Sequence, residues 1–160
     1  MAVCSEVQPA GNVSKNWSTS SMSSDGSIIL VGVYGGRLYL STNSGANWSE
    51  KMPAGDADKN WRTSSTSSDG SIILVGVDGS RLYLSTNGGS IWSEVQPAGD
   101  VNKSWYTSGM SSDGSVILVG GAGRLYLSTN GGANWSEKMP AGYAEQHRNG
   151  CIRGRSNCQR

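Results

Sequence analysis

The chain has 160 residues with 23 glycines, 16% charged residues and a formal net charge of +1, against about 25% charged in ordinary soluble domains. Such a composition fits one domain of small apolar strands tied by turns, and excludes a helical bundle. No basic stripe runs through the body, which excludes nucleic acid as the main partner, and the longest apolar run (28–33) is far too short to span a bilayer.

Residues 1–11 show no basic stretch followed by an apolar one, so no secretory signal is visible. The compartment stays open, with an extracellular or cell-surface one favoured. Within this segment, SEVQPAG (5–11) copies a later element and predicts an extra outer strand. Three copies of one unit follow, at 12–55, 56–99 and 100–142, in which Trp17, Trp61 and Trp105 recur every 44 residues. Trp48 and Trp92 are also 44 apart, and Trp135 follows after 43 because VGGAGRLYL is one residue short. The middle copy shows the expected elements in order. A first strand runs from Trp61 through RTSSTS, and SSDGS makes a tight turn at Asp69-Gly70. SIILVGV (71–77) is a nearly continuous apolar strand, as where both sheet faces are covered. RLYLS (81–85) alternates, placing Arg81 and Tyr83 on one face and Leu82 and Leu84 on the other. After an Asn-Gly turn, WSEVQPAG is the outer strand, ended by Pro97.

Four strands per 43–44 residues, without helical periodicity, predict an all-β chain of three four-stranded propeller blades. The tail, 143–160, leaves the repeat and is basic, with Arg148, Arg153, Arg155 and Arg160. Cys151 and Cys158 are a candidate disulfide that would leave Cys4 unpaired; three reduced thiols are the alternative. His147 is the one histidine and no metal-ligand spacing surrounds it, so neither metal nor cofactor is expected.

The thrice-repeated S-T-N-x-G-x-x-W resembles the Asp-box (BNR) motif of sialidase-like and photosystem-assembly-factor-like β-propellers, with Asn where Asp is usual. The resemblance covers about residues 5–142 and implies a propeller. Every residue type in the motif also suits turn construction. Asn43, Asn87 and Asn130 can accept backbone N–H groups, and Gly45, Gly89 and Gly132 permit left-handed backbone. Trp48, Trp92 and Trp135 can fold back over the turn with the indole N–H as donor. The motif is therefore expected to be structural, and the resemblance implies that ligands are met at the opposite end of the blades. Candidate ligand residues there are Trp17, Trp61 and Trp105 at first-strand entrances, and Arg37, Arg81 and Arg124 at third-strand starts.

These arginines are copies of one position and no unique Tyr–Glu pair stands out, unlike the asymmetric site of sialidases, so no enzymatic activity is expected. A multivalent, lectin-like glycan-binding module is the leading expectation, since repeated pockets raise avidity. The alternative is a self-assembling structural subunit, forming an oligomeric ring or filament, and a sialidase-like glycosidase is a remote third reading. Propellers use four to eight blades, so three blades imply a ring completed by homo-oligomerisation or a chain that is a fragment of a larger propeller.

Overall fold

The computed structural model describes residues 6–139, and each repeat in it is a four-stranded antiparallel blade. Blade 1 comprises β1 (Trp17–Met22), β2 (Ile29–Gly36), β3 (Leu38–Ser41) and β4 (Ser49–Lys51). Blade 2 comprises β5 (Lys59–Thr66), β6 (Ile73–Val77), β7 (Leu82–Ser85) and β8 (Ser93–Val95). Blade 3 comprises β9 (Thr107–Met110), β10 (Ile117–Gly121), β11 (Arg124–Ser128) and β12 (Ser136–Lys138). Consecutive strands pair in register from one blade to the next, as in Leu30↔Leu40, Leu74↔Leu84 and Leu118↔Leu127.

The Asp-Gly turns explain why the second strands start late. In blade 2, Ser67 Oγ takes the N–H of Ile72 at 3.0 Å and donates to Asp69 Oδ1 at 2.6 Å, so 71–72 belong to the turn. The Ser67 hydroxyl first, then the Ser71 N–H and hydroxyl, hold the Asp69 carboxyl down at about 2, against an ordinary 3.8. Asp25 and Asp113 repeat this arrangement and this depression. Outer strands are shorter than expected: β8 is only Ser93–Val95, because the chain then turns, with Gly99 N–H bonding to Gln96 O at 3.0 Å.

Strand alternation gives each blade two apolar faces. The front face of blade 1 (Leu30, Leu38, Leu40) packs on the back face of blade 2 (Trp61, Ile73, Val75, Tyr83). The front face of blade 2 (Leu74, Leu82, Leu84) packs on the back of blade 3 (Trp105, Ile117, Val119, Tyr126). Hydroxyl pairs stitch the inner strands together, Thr19 to Ser64 at 2.7 Å and Thr63 to Ser108 at 2.8 Å. All of β6 is buried, as its continuous apolar run predicts. The same run is partly exposed in β2 and β10, because each end blade has one face without a neighbour.

Residues 6–11 form no strand. An outer strand needs a third strand beside it, and β3, β7 and β11 already carry β4, β8 and β12. The missing residue of blade 3 tightens its second hairpin. Ala122 and Gly123, at φ 47° and 78°, close β10 on β11 as a two-residue turn. The tail 143–160, with Cys151 and Cys158, and Cys4 lie outside the described residues.

Candidate functional site

The blades have two chemically different ends. At one end the Asn-Gly turns abut the Asp-Gly turns, with Ser44 N–H bonding Ser27 O at 3.0 Å and Gly88 N–H bonding Ser71 O at 2.8 Å. Each Asn-Gly turn is tied by its own side chains. Asn43, Asn87 and Asn130 Oδ1 each accept the N–H four residues on at 2.8 Å. The hydroxyls of Ser41, Ser85 and Ser128 donate to the same oxygens and accept the N–H of Gly45, Gly89 and Gly132. Those glycines sit at φ 84°, 79° and 88°. Trp48 and Trp92 fold back and donate Nε1–H to Gly45 O and Gly89 O at 3.0 and 3.1 Å. Trp135 lies over Gly132 in the same way, without that bond. The acceptor atoms of this motif are thus consumed within the turn.

The opposite end gathers the second-to-third-strand turns and the inter-blade loops; Tyr34 N–H bonds Asn16 O and Asp78 N–H bonds Asn60 O. Here the expected ligand residues are engaged with the protein. Trp61 and Trp105 are each 2% exposed. Their Nε1–H groups donate to Gly36 O at 3.1 Å and Ser80 O at 3.2 Å. Their rings meet Tyr83 and Tyr126 edge-on. These two indoles have no face left for a ligand: first-strand entrances in this fold are the seam between blades. Only Trp17, 43% exposed and edge-on to Tyr39, shows its ring to solvent.

The arginines are held by carboxylates. Arg37 lies 2.8 Å from Asp56, 2.9 Å from Asp58 and 3.5 Å from Glu50, and the Asp56 contact raises its pKa above the ordinary value. Arg81 pairs with Asp100 at 2.7 Å and Glu94 at 3.6 Å, and Arg124 pairs with Glu137. Among the described residues no group of three or more His, Cys, Asp or Glu is arranged to hold a metal ion.

A different cluster stands free at this end. The guanidinium of Arg62 lies 6.0 Å from the Tyr34 ring centroid and 5.6 Å from that of Tyr106, and both rings are exposed. Three blades supply three residues: Tyr34 lies near the end of β2, Arg62 is in β5, and Tyr106 precedes β9. The pairing of β5 with β6 slips between Trp61 and Thr63, so Arg62 is the extra residue of a β-bulge, which re-aims its side chain. The same slip brackets Ser18 in blade 1. There the short side chain turns inward, donating to Trp61 O at 2.6 Å. The signal was in the sequence. Positions 18, 62 and 106 read Ser, Arg, Tyr, and positions 34 and 78 read Tyr and Asp, in copies that otherwise hardly differ. Attention to what recurs passes over it.

No family model matches the sequence, and no curated protein matches it. Solved structures do match in shape. The chain superposes on YCF48 bound to D1 peptide with a TM-score of 0.62 at 15% identity, covering 77% of this chain and 40% of that one. It matches YCF48 from Cyanidioschyzon merolae with a TM-score of 0.62 at 17% identity, covering 81% and 39%. These neighbours are propellers. The fold is the β-propeller. The GH74 enzyme of Niastella koreensis matches as well, at a TM-score of 0.57 and 20% identity, over 76% of this chain and 18% of that one. The chain thus spans about two fifths of each YCF48 structure and about a fifth of the GH74 enzyme, and at these identities the likeness concerns the propeller fold alone.

Proposed function

We propose that this propeller is a non-enzymatic binding module, taking a carboxylate-bearing glycan at the Tyr34–Arg62–Tyr106 cluster. The observation that carries the reading is a guanidinium between two exposed aromatic rings, at the end opposite the Asn-Gly turns, with no ion pair to a carboxylate among the described residues. Phenol rings offer flat apolar faces to the C–H side of a sugar ring, and a planar guanidinium grips a carboxylate through two parallel N–H donors. Asymmetry fits ligand recognition better than the repeated tryptophans do, since Trp61 and Trp105 are spent in the core. A binding role is supported by the acids that flank Arg37 and Arg81: Glu50, Asp56, Asp58, Glu94 and Asp100 are held in ion pairs with these guanidinium groups.

The test is a glycan array containing uronic and sialic acid sugars, with neutral sugars and short peptides as competitors, read for wild type, Arg62→Ala and Tyr106→Ala. Binding to acidic glycans, lost in both variants, is expected. A blank array, or binding that both variants keep, removes the reading. A peptide that binds through Arg62 in place of every sugar would reassign the ligand class. Sugar release from these substrates would overturn the non-enzymatic role.

A further inference from the structure

The two end faces of the three-blade arc carry matching halves of the interface that already joins its blades. We propose that the front face of blade 3 docks on the back face of blade 1 of a second copy, and that two copies close a six-bladed ring.

Each contact of the established interface has its counterparts on the two open faces. Trp105 is seated on blade 2, where a β-carbon at Gly76 would lie 2.7 Å from Thr63, 2.9 Å from Leu82 and 3.1 Å from Trp105 Cβ. In blade 3 the corresponding residues are Thr107, Gly120 and Leu125. They line a mostly apolar cavity of about 220 Å³ instead. The indole missing from it is Trp17, exposed at the other end of the arc, whose copies Trp61 and Trp105 fill this seat twice within the chain.

The turns repeat the pattern. A β-carbon at Gly70 would lie 2.5 Å from Ile28, and one at Gly114 would lie 2.5 Å from Ile72; at Gly26 it would meet nothing. Likewise Leu40 presses on Gly89 and Leu84 on Gly132, whereas Gly45 meets only its own blade. Val116 and Leu127 are the copies of these side chains on the open front face. The third central member, Leu118, is 38% exposed where Leu30 and Leu74 are 0%.

Polar groups continue in register as well. Ser24 N–H bonds Ser68 O and Ser68 N–H bonds Ser112 O, both at 2.8 Å, so Ser112 N–H and the partner's Ser24 O are the next pair in the series. One difference favours the outer junction. Ser21 bonds Thr66 at 2.7 Å in the first interface; in the second, Ser65 faces the Met110 position and its buried hydroxyl has no partner. In the third, Gly109 would face the partner's Met22, a small residue opposite a large one, and a β-carbon at Gly109 meets nothing among the described residues.

The contact is heterologous: a front face meets a back face, so two copies repeat it twice and leave no open face, within the four to eight blades that propellers use. Both Tyr34–Arg62–Tyr106 clusters then point to one end of the ring. The proposal does not depend on the ligand, because each cluster lies within one chain, although Tyr106 also lines the cavity that the partner's Trp17 would fill.

Light scattering on the full chain at micromolar concentration is expected to give the mass of two copies of 16.8 kDa each. Trp17→Ala and Leu118→Arg, on opposite faces and both exposed in the single chain, should each weaken association by about a hundredfold or more while leaving the circular dichroism of a β-protein. Ile91→Arg, on an exposed Asn-Gly turn, should leave the dimer intact. Mixing Trp17→Ala with Leu118→Arg restores one intact junction, and the mixture should form a heterodimer that neither variant forms alone. A folded wild-type monomer, an oligomer that survives both substitutions, or a mixture that stays monomeric would each overturn the proposal.

Discussion

Replacing Trp61 with alanine and, separately, Trp17 with alanine makes the same change at the same place in the repeat, with different surroundings. Trp61 is 2% exposed, donates its Nε1–H to Gly36 O at 3.1 Å, and meets the Tyr83 ring edge-on at 6.3 Å. Its truncation empties the middle of the first blade interface, beneath Leu30, Leu38 and Leu40. Loss of a buried tryptophan of this kind costs about 3–5 kcal/mol. Trp17 makes the analogous edge contact, with Tyr39 at 6.0 Å, but stays 43% exposed among the described residues. Its removal should cost about 1 kcal/mol. Against a total stability of roughly 5–15 kcal/mol, the difference separates a crippled chain from a nearly normal one. Urea unfolding followed by far-UV circular dichroism measures it, in a Leu118→Arg background so that association plays no part. With a slope of about 2 kcal/mol/M, Trp61→Ala should lower the midpoint by roughly 2 M and Trp17→Ala by about 0.5 M. Equal shifts for the two variants would refute the assignment of Trp61 to an inter-blade core and of Trp17 to an open face.

Asn87→Ala removes the oxygen that accepts from the Ile91 N–H and the Ser85 hydroxyl, and should cost about 1–2 kcal/mol in the same assay, whereas Asn87→Asp, which keeps the acceptor, should cost little. Ser65→Ala removes a buried hydroxyl without a partner and should be neutral or stabilising, by up to about 1 kcal/mol; a clear loss of stability would mean the hydroxyl is paired in solution. Asp25, Asp69 and Asp113 titrate at about 2 when folded and near 3.8 when unfolded. The folded values are the lower ones, so the stability these groups contribute is complete above about pH 4 and is lost as pH falls through 2. Melting temperatures recorded from pH 5 to pH 2 should drop across that window, and Asp69→Asn should flatten the drop.

Much of the fold was legible before any tertiary contact was considered. Glycines at positive φ, Asp-Gly pairs and alternating Leu-Tyr-Leu strands are local instructions, and the period of 43–44 residues set the blade count of the described chain. Local chemistry also sufficed for the Asn-Gly turns, since their Asn and Ser side chains bond within a few residues along the chain. The candidate site was not legible in the same way. Trp17, Trp61 and Trp105 are one residue type in one motif, yet one is exposed and two are buried. Arg62 means little as a sequence position until a bulge and two neighbouring blades bring Tyr34 and Tyr106 to either side of it. Repetition determines what each blade is, because a strand or turn depends on near neighbours in the chain. Stacking alone decides which copies of a residue face another blade and which face water, because burial depends on what lies across the interface.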